Sequence, residues 1–301
     1  MSTPDATAPP TAPAARRPPA WLEDLDATDL SLRLTLLTLL LRPVGSPGIR
    51  VAILALATFG LTVPSRLRHP ALWATLAALT SIRVLLDWSL ADNHAYLLAY
   101  WCLAITLALL ARDTGACLAL NARLLIGWAF ALAVLWKLVL SPDYLDGRFF
   151  RVTLLTDERF ADFTRLAGGL ATDELGALRA FVRGDLSIDA GAPGAFPERL
   201  LAVARLATFW TVGVEAAVAV AWLSPLGRGL SFARDVLLLA FCVTTYAVAT
   251  IAGFGWLLLS MGIAQCDPHR GRTRVGYLAA FGVVLAYDGL PFMRWGLDWL
   301  R

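Results

Sequence analysis

Apolar positions in this chain run in long, nearly unbroken blocks separated by short polar turns. A soluble helix would instead show a spaced stripe of such positions. Blocks of this kind predict buried or membrane-crossing helices. They lie at Ile49–Val63, Ala71–Leu90, Ala95–Ala111, Leu124–Leu140, Leu200–Leu223, Val236–Ala264 and Val275–Leu290. An earlier, shorter block, Leu30–Leu41, carries Arg33, and Thr28-Asp29 are placed to cap it. It reads as a thin first crossing or as an interfacial helix. Residues 143–198 break the pattern with charges of both signs. Helical stretches are expected there from near Thr156 and near Thr172, and a Gly/Ala/Pro loop, Ala190–Pro197, closes the region. The predicted fold class is all-α: a polytopic transmembrane helix bundle of 7–8 spans with a small polar helical extramembrane cap. The transmembrane domain covers 28–290, with the cap 143–198 inserted. It is flanked by a disordered tail, 1–27, and a short C-terminal tail, 291–301.

Composition supports the membrane reading. Hydrophobic residues make up 58% of the 301, and the mean hydropathy of +0.64 is too high for a soluble domain of this size. A net charge of +3, spread over the loops, gives no reason to expect nucleic acid as a partner. Alternation of spans puts Arg66, Arg68, Arg112, Arg123, Arg228, Arg234, Arg294 and Arg301 on one face. Arg270, Arg272 and Arg274 fall on the other face, with the cap. The bias makes the first face cytoplasmic, in a multi-pass protein of the plasma membrane with its cap outside. Cys102, Cys117, Cys242 and Cys266 stand far apart and read as small core hydrophobes. Three dispersed histidines offer no metal-site spacing, so no metal is expected.

One residue stands out chemically. Lys137 is the only lysine; the other twenty-five basic residues are arginines. Arginine keeps its proton at any useful pH, whereas a desolvated lysine can act as a neutral base. An ionisable group at bilayer depth marks a functional site or, near a helix end, a side chain snorkelling to the interface. Alternation places Arg83, Asp87, the turn Asp92-Asn93-His94 and Lys137 at similar depth beneath the cap, with Arg205 at that level and Glu215 deeper. Together they would line a polar vestibule. Arg83 and Asp87, at i,i+4, suit an ion pair. Glu215 is left protonated, paired with Arg205, or part of the site.

The string Leu85-Leu86-Asp87-Trp88-Ser89-Leu90-Ala91-Asp92-Asn93-His94-Ala95-Tyr96-Leu97 resembles the L-L-D-x-x-x-x-N-N-H-x-Y-L segment of vitamin K-dependent gamma-carboxylase. Trp136-Lys137-Leu138 with Pro142-Asp143-Tyr144-Leu145-Asp146-Gly147 is similar to that family's K-L…D-W-x-x-G element, with Tyr144 replacing Trp. Ile251-Ala252-Gly253-Phe254 looks like its I-G-x-F span. The resemblance reaches the HTTM superfamily, the carboxylase-like membrane domain, over roughly residues 30–290. It implies Lys137 as the base that deprotonates a reduced, vitamin K-like quinone, with Asn93 and His94 as orienting donors in the same pocket. Two departures count against full carboxylase chemistry. The family's soluble domain would follow where this chain ends, and Thr244-Thr245-Tyr246 stands where a histidine is usual.

Three functions remain open at this stage. The first is a membrane enzyme that deprotonates or oxygenates a quinone-like, lipid-soluble substrate, with Lys137, Asn93 and His94 catalytic and Asp87, Arg83, Arg205 and Glu215 binding substrate. The second is a non-catalytic membrane protein that binds lipid, or a partner membrane protein, or serves secreted-peptide maturation or immunity. The third is a transporter, ranked last because no pair of broken helices is visible in corresponding halves.

Overall fold

Long apolar blocks have nowhere to satisfy their backbone except along their own axis, so they fold as helices. The computed structural model describes residues 26–88, 90–184, 196–225, 228–246, 248, 251–267 and 270–289, and among these there is no strand. In chain order the helices are α1 (Ala27–Leu41), α2 (Pro47–Thr62), α3 (Pro64–Leu67), α4 (Pro70–Leu86), α5 (Asn93–Leu110) and α6 (Thr114–Leu135). Next come α7 (Pro142–Leu145), α8 (Arg148–Thr156), α9 (Ala161–Gly168), α10 (Thr172–Arg183) and α11 (Glu198–Leu223). The last three are α12 (Arg228–Tyr246), α13 (Ala252–Gln265) and α14 (Gly271–Gly289). Of the expected tails 1–27 and 291–301, residues 1–25 and 291–301 lie outside the described residues, as do Arg294, Arg301 and most of the loop Ala190–Pro197, whereas Asp26 caps and Ala27 opens α1. By length and composition, three helical segments can each cross a membrane: Asn93–Leu110, Thr114–Leu140 and Glu198–Leu223.

The short first block is a central helix. Leu32, Leu36 and Leu39 of α1 are almost wholly buried, Ser31 Oγ donates to the Ser260 carbonyl at 2.7 Å, and the Trp101 indole donates to Thr35 Oγ1 at 3.0 Å. A helix packed on so many sides is not lying along an interface with a polar face in water. Its cap is Asp26, whose carboxylate accepts from Thr28 N, rather than Thr28-Asp29. Asp26 and Asp29 together hold Arg68, tying the start of α1 to the turn before α4.

The largest departure from the sequence reading is Val236–Ala264, which folds as two helices rather than one. Gln265 Nε2, at the end of α13, donates to Asp235 Oδ1 near the start of α12 at 2.6 Å, while Tyr246 lies against Gly255 at the other ends. The pair is therefore an antiparallel hairpin, turning between Tyr246 and Ala252. Hydropathy gave no warning because the turn is as apolar as the helices it joins. A second departure extends the fourth block backward. Asp113 caps α6 by accepting from Ala116 N at 2.9 Å, so 114–123, read as loop, is helical.

These contacts sort the bundle's ends. One end, the arginine end, holds the start of α1, the turn at 63–69, the turn between α5 and α6, and the ends facing each other across 224–227 and 266–270. The hairpin moves Arg270, Arg272 and Arg274 to this end, correcting their expected placement with the cap. The other end, the cap end, carries the loop at 87–92, the hairpin tip and the end of α14, where Tyr287 comes near Asp162.

The cap has its own small core, in which Tyr144, Phe150, Leu154, Leu155 and Leu175 pack with Leu200 and Ala204 of α11. Arg179 Nε donates to the Leu155 carbonyl at 2.7 Å and Arg199 Nε to that of Ala167 at 2.7 Å, stitching α10 to α8 and α11 to α9. The expected helix from Thr172 is present as α10. The one expected from near Thr156 is displaced, because Thr156 ends α8 and Asp157 caps the turn that follows by accepting from Arg159 N.

Candidate functional site

Lys137 lies in a wide helical turn, Trp136–Leu140, that continues α6 with π-type geometry. Such turns are rare and occur often at functional sites. Its amine donates to Glu215 Oε2 of α11 in a short contact, with side-chain exposures of 13% and 9%. The two helices can meet this closely because Gly127 of α6 lies directly beneath Leu223 of α11; a Cβ there would sit 2.6 Å from Leu223 Cδ2. The Lys137 ammonium stands 5.2 Å from the centre of the buried Tyr144 ring, within cation–π range. Burial, with the Glu215 carboxylate nearby, raises the Tyr144 phenol well above its ordinary value, so it remains protonated.

This pair faces a cavity of about 1440 Å³. Its wall is overwhelmingly apolar and aromatic, including Trp128, Phe130, Trp136, Phe149, Trp210 and Phe254. Lys137, Glu215, Asn93, His94, Thr211, Thr244 and Thr245 supply polar points. Trp128, Leu132, Leu135, Trp136, Leu206 and Trp210 line the cavity and are each half-exposed or more. The cavity is therefore flanked by exposed apolar side chains. A rigid, mostly apolar chamber with a few convergent polar groups is the usual form of a small-molecule site.

Asn93 and His94 enter the same cavity from the first turn of α5. The His94 ring packs on Phe254 at 4.2 Å between centroids, and Phe254 comes from the Ile251–Phe254 segment that starts α13. Asp92 caps α5, accepting from Ala95 N at 2.8 Å, and its other oxygen lies 3.6 Å from His94 Nδ1. The His94 side chain above all, opposed by partial burial and aided by the Ala95 N–H, lowers the Asp92 carboxyl to about 2. A depressed folded-state value contributes stability that is present above the ordinary carboxylate pKa and lost as pH falls through about 2. Asp92→Ala is accordingly expected to cost about 1 kcal/mol at neutral pH. The gap in melting temperature between variant and wild type should narrow as the pH is lowered toward that value; a constant gap would place the cap's contribution elsewhere.

The other expected site residues separate. Arg83 pairs with Asp87 at 3.6 Å, as their spacing suggested, and lines a smaller chamber of about 480 Å³ that shares His94 and Phe254 with the main cavity. Asp87 lines neither chamber. Arg205 also lines neither: it is exposed and lies along Gly147, so Glu215 is paired with Lys137 rather than with Arg205. Tyr144, Thr211 and Phe254 were not singled out as site residues. Glu215 and Lys137 did carry a signal for each other, as the only acid of one apolar block and the only charged residue of the block before it. No protein-family model, curated protein or solved structure matches this chain.

Proposed function

We propose that this chain is a multi-pass membrane protein of the HTTM type whose cavity takes a reduced quinone or a similar lipid-soluble hydroxyaromatic, and whose Lys137–Glu215 pair removes its proton. The observation that carries this reading is the ion pair on the wall of a mostly apolar cavity, beneath the cap. The exposed apolar side chains that flank the cavity suit a substrate that arrives through the bilayer. Its volume exceeds the roughly 300–1,000 Å³ of ordinary ligand pockets, leaving room for a hydrocarbon tail.

The amine and carboxylate act as one unit. A substrate O–H placed against the pair passes its proton to the pair, and the remaining positive charge stabilises the aryloxide left behind. The proton acceptor is thus a dyad rather than an isolated lysine. Asn93 and His94 orient the ring, and Phe254 fixes the His94 plane. The aryloxide is the species that reacts with dioxygen in the family the motifs resemble. With α1 and the hairpin counted as crossings, nine helices traverse the bilayer. The arginine end then gathers Arg66, Arg68, Arg112, Arg234, Arg270, Arg272 and Arg274 on the cytoplasmic side, with the cap outside.

Glu215→Gln keeps the size of the side chain while removing the carboxylate that takes up the proton. It is expected to lower substrate turnover by about a hundredfold or more while leaving binding nearly intact. A quinone recovered by lipid extraction of purified protein would identify the ligand for that assay. Unchanged turnover in the variant sinks the base assignment. A second reading, a non-catalytic lipid-binding protein, is favoured by the predominance of apolar wall; it predicts retained binding with no turnover in the wild type.

A further inference from the structure

The arginine end carries a second constellation, none of whose residues lines the cavity. Arg234 of α12 is buried, and its guanidinium donates to the Ala221 carbonyl at 2.8 Å and the Ser224 carbonyl at 3.0 Å. Arg123 of α6 lies beside it, close enough for the like charges to repel. Arg270, in the turn before α14, covers the Phe232 ring at 5.6 Å, and it and the buried Arg274 both come near Cys266. These four arginines face two carboxylates, Asp235 and Asp267. Asp235 is already engaged, accepting from Tyr277 at 2.8 Å and Gln265 at 2.6 Å. Positive charge is in excess.

The donors are also incompletely used. Arg123 Nε, Arg270 Nη1 and Ser231 Oγ are buried atoms with no hydrogen-bond partner among the described residues. Buried polar atoms are normally satisfied, so the two arginines and the serine, one turn before Arg234 on α12, have donor capacity that the described residues do not use. An oxyanion bearing several lone pairs meets that need, and phosphate is well matched to guanidinium donors. The adjoining surface tells which phosphate. Phe232 and Val236, at i,i+4 on α12, are 58% and 45% exposed, with Val275 of α14 exposed as well. A soluble anion gains nothing from that apolar stripe, whereas an acyl chain lies along it.

We infer that the arginine end binds the headgroup of an anionic phospholipid, its phosphate held by Arg123, Arg270 and Ser231 and its acyl chains resting on Phe232 and Val236. Basic pockets between helix ends on the cytoplasmic side bind such lipids by the same physics. The inference shares only the membrane setting with the preceding section and is indifferent to whether Lys137 is a base.

The test uses the full chain, purified in neutral detergent and titrated by native mass spectrometry. The probes are phosphatidylglycerol, phosphatidylcholine and diacylglycerol of the same chains, and inorganic phosphate. At low ionic strength phosphatidylglycerol is expected to bind about tenfold more tightly than the other two lipids. Arg123→Gln with Arg270→Gln should bring it within about twofold of phosphatidylcholine. Equal retention of the anionic and zwitterionic lipids by the wild-type protein overturns the inference whether or not the variant folds. So does an undiminished preference in a folded variant. Displacement of phosphatidylglycerol by millimolar phosphate also overturns it, making the patch a site for soluble anions.

Discussion

Replacing Glu215 with alanine is expected to destabilise the purified protein by about 3–5 kcal/mol, because it leaves the Lys137 ammonium desolvated without its partner. The penalty has a ceiling, since the orphan can escape by neutralising. At pH 7 this costs about 4–5 kcal/mol for an ordinary lysine and about 3–4 kcal/mol for an ordinary glutamate. The two single variants therefore lean in opposite directions with pH. The defect of Glu215→Ala should shrink as the pH rises toward about 9, and that of Lys137→Ala as it falls toward about 5. Lys137→Met combined with Glu215→Leu replaces the pair by apolar groups of similar size and should recover wild-type stability to within about 1–2 kcal/mol, without function. Melting curves of the four proteins in one detergent decide the matter. If Glu215→Ala melts like the wild type across that pH range, water reaches the pair and the apolar setting of the dyad is wrong.

The second large effect is expected at Gly262. A Cβ there would lie 2.4 Å from Tyr277 Cε1, 2.7 Å from Cζ and 2.9 Å from the hydroxyl oxygen. Tyr277 is fully buried, and its hydroxyl donates to Asp235, so the ring has no free direction in which to yield. Gly262→Ala should cost about 2–4 kcal/mol, combining overpacking with weakening of a hydrogen bond to a buried carboxylate. Gly282 of α14 provides the control: nothing lies within 4 Å of its would-be Cβ. Alanine there should be neutral or stabilising by up to about 1 kcal/mol through helix propensity. Equal behaviour of the two variants would mean that α13 and α14 do not approach as described.

Much of this arrangement was legible in the residues, and what was not has definite causes. Apolar blocks announced the helices because a bundle buried on all sides, or in lipid, needs no amphipathic stripe. They could not announce the hairpin, since Ala247-Val248-Ala249-Thr250-Ile251 contains no proline, glycine or charge to mark a turn. In the cap the failure was subtler: Thr156-Asp157-Glu158 offers two capping residues in succession, and the second one is used. The lone lysine does line the large cavity. Its partner was missed because depth was counted from helix ends, and α6 opens into a wide turn at Lys137 that alters where the side chain reaches. Arg205 was drawn in by depth alone. Depth does not say which face of α11 a residue occupies, and Arg205 lies on the face toward Gly147.

On the membrane reading proposed above, the α12–α13 hairpin bears on how the chain would be put into a bilayer. With 14 residues, α13 is only about 21 Å long, shorter than the roughly 30 Å hydrocarbon slab, so it is a poor signal for insertion by itself. Joined to α12 by an uncharged tip, it can enter as one folded unit. On that reading Arg234 and Arg270 would stay together on one side of the bilayer.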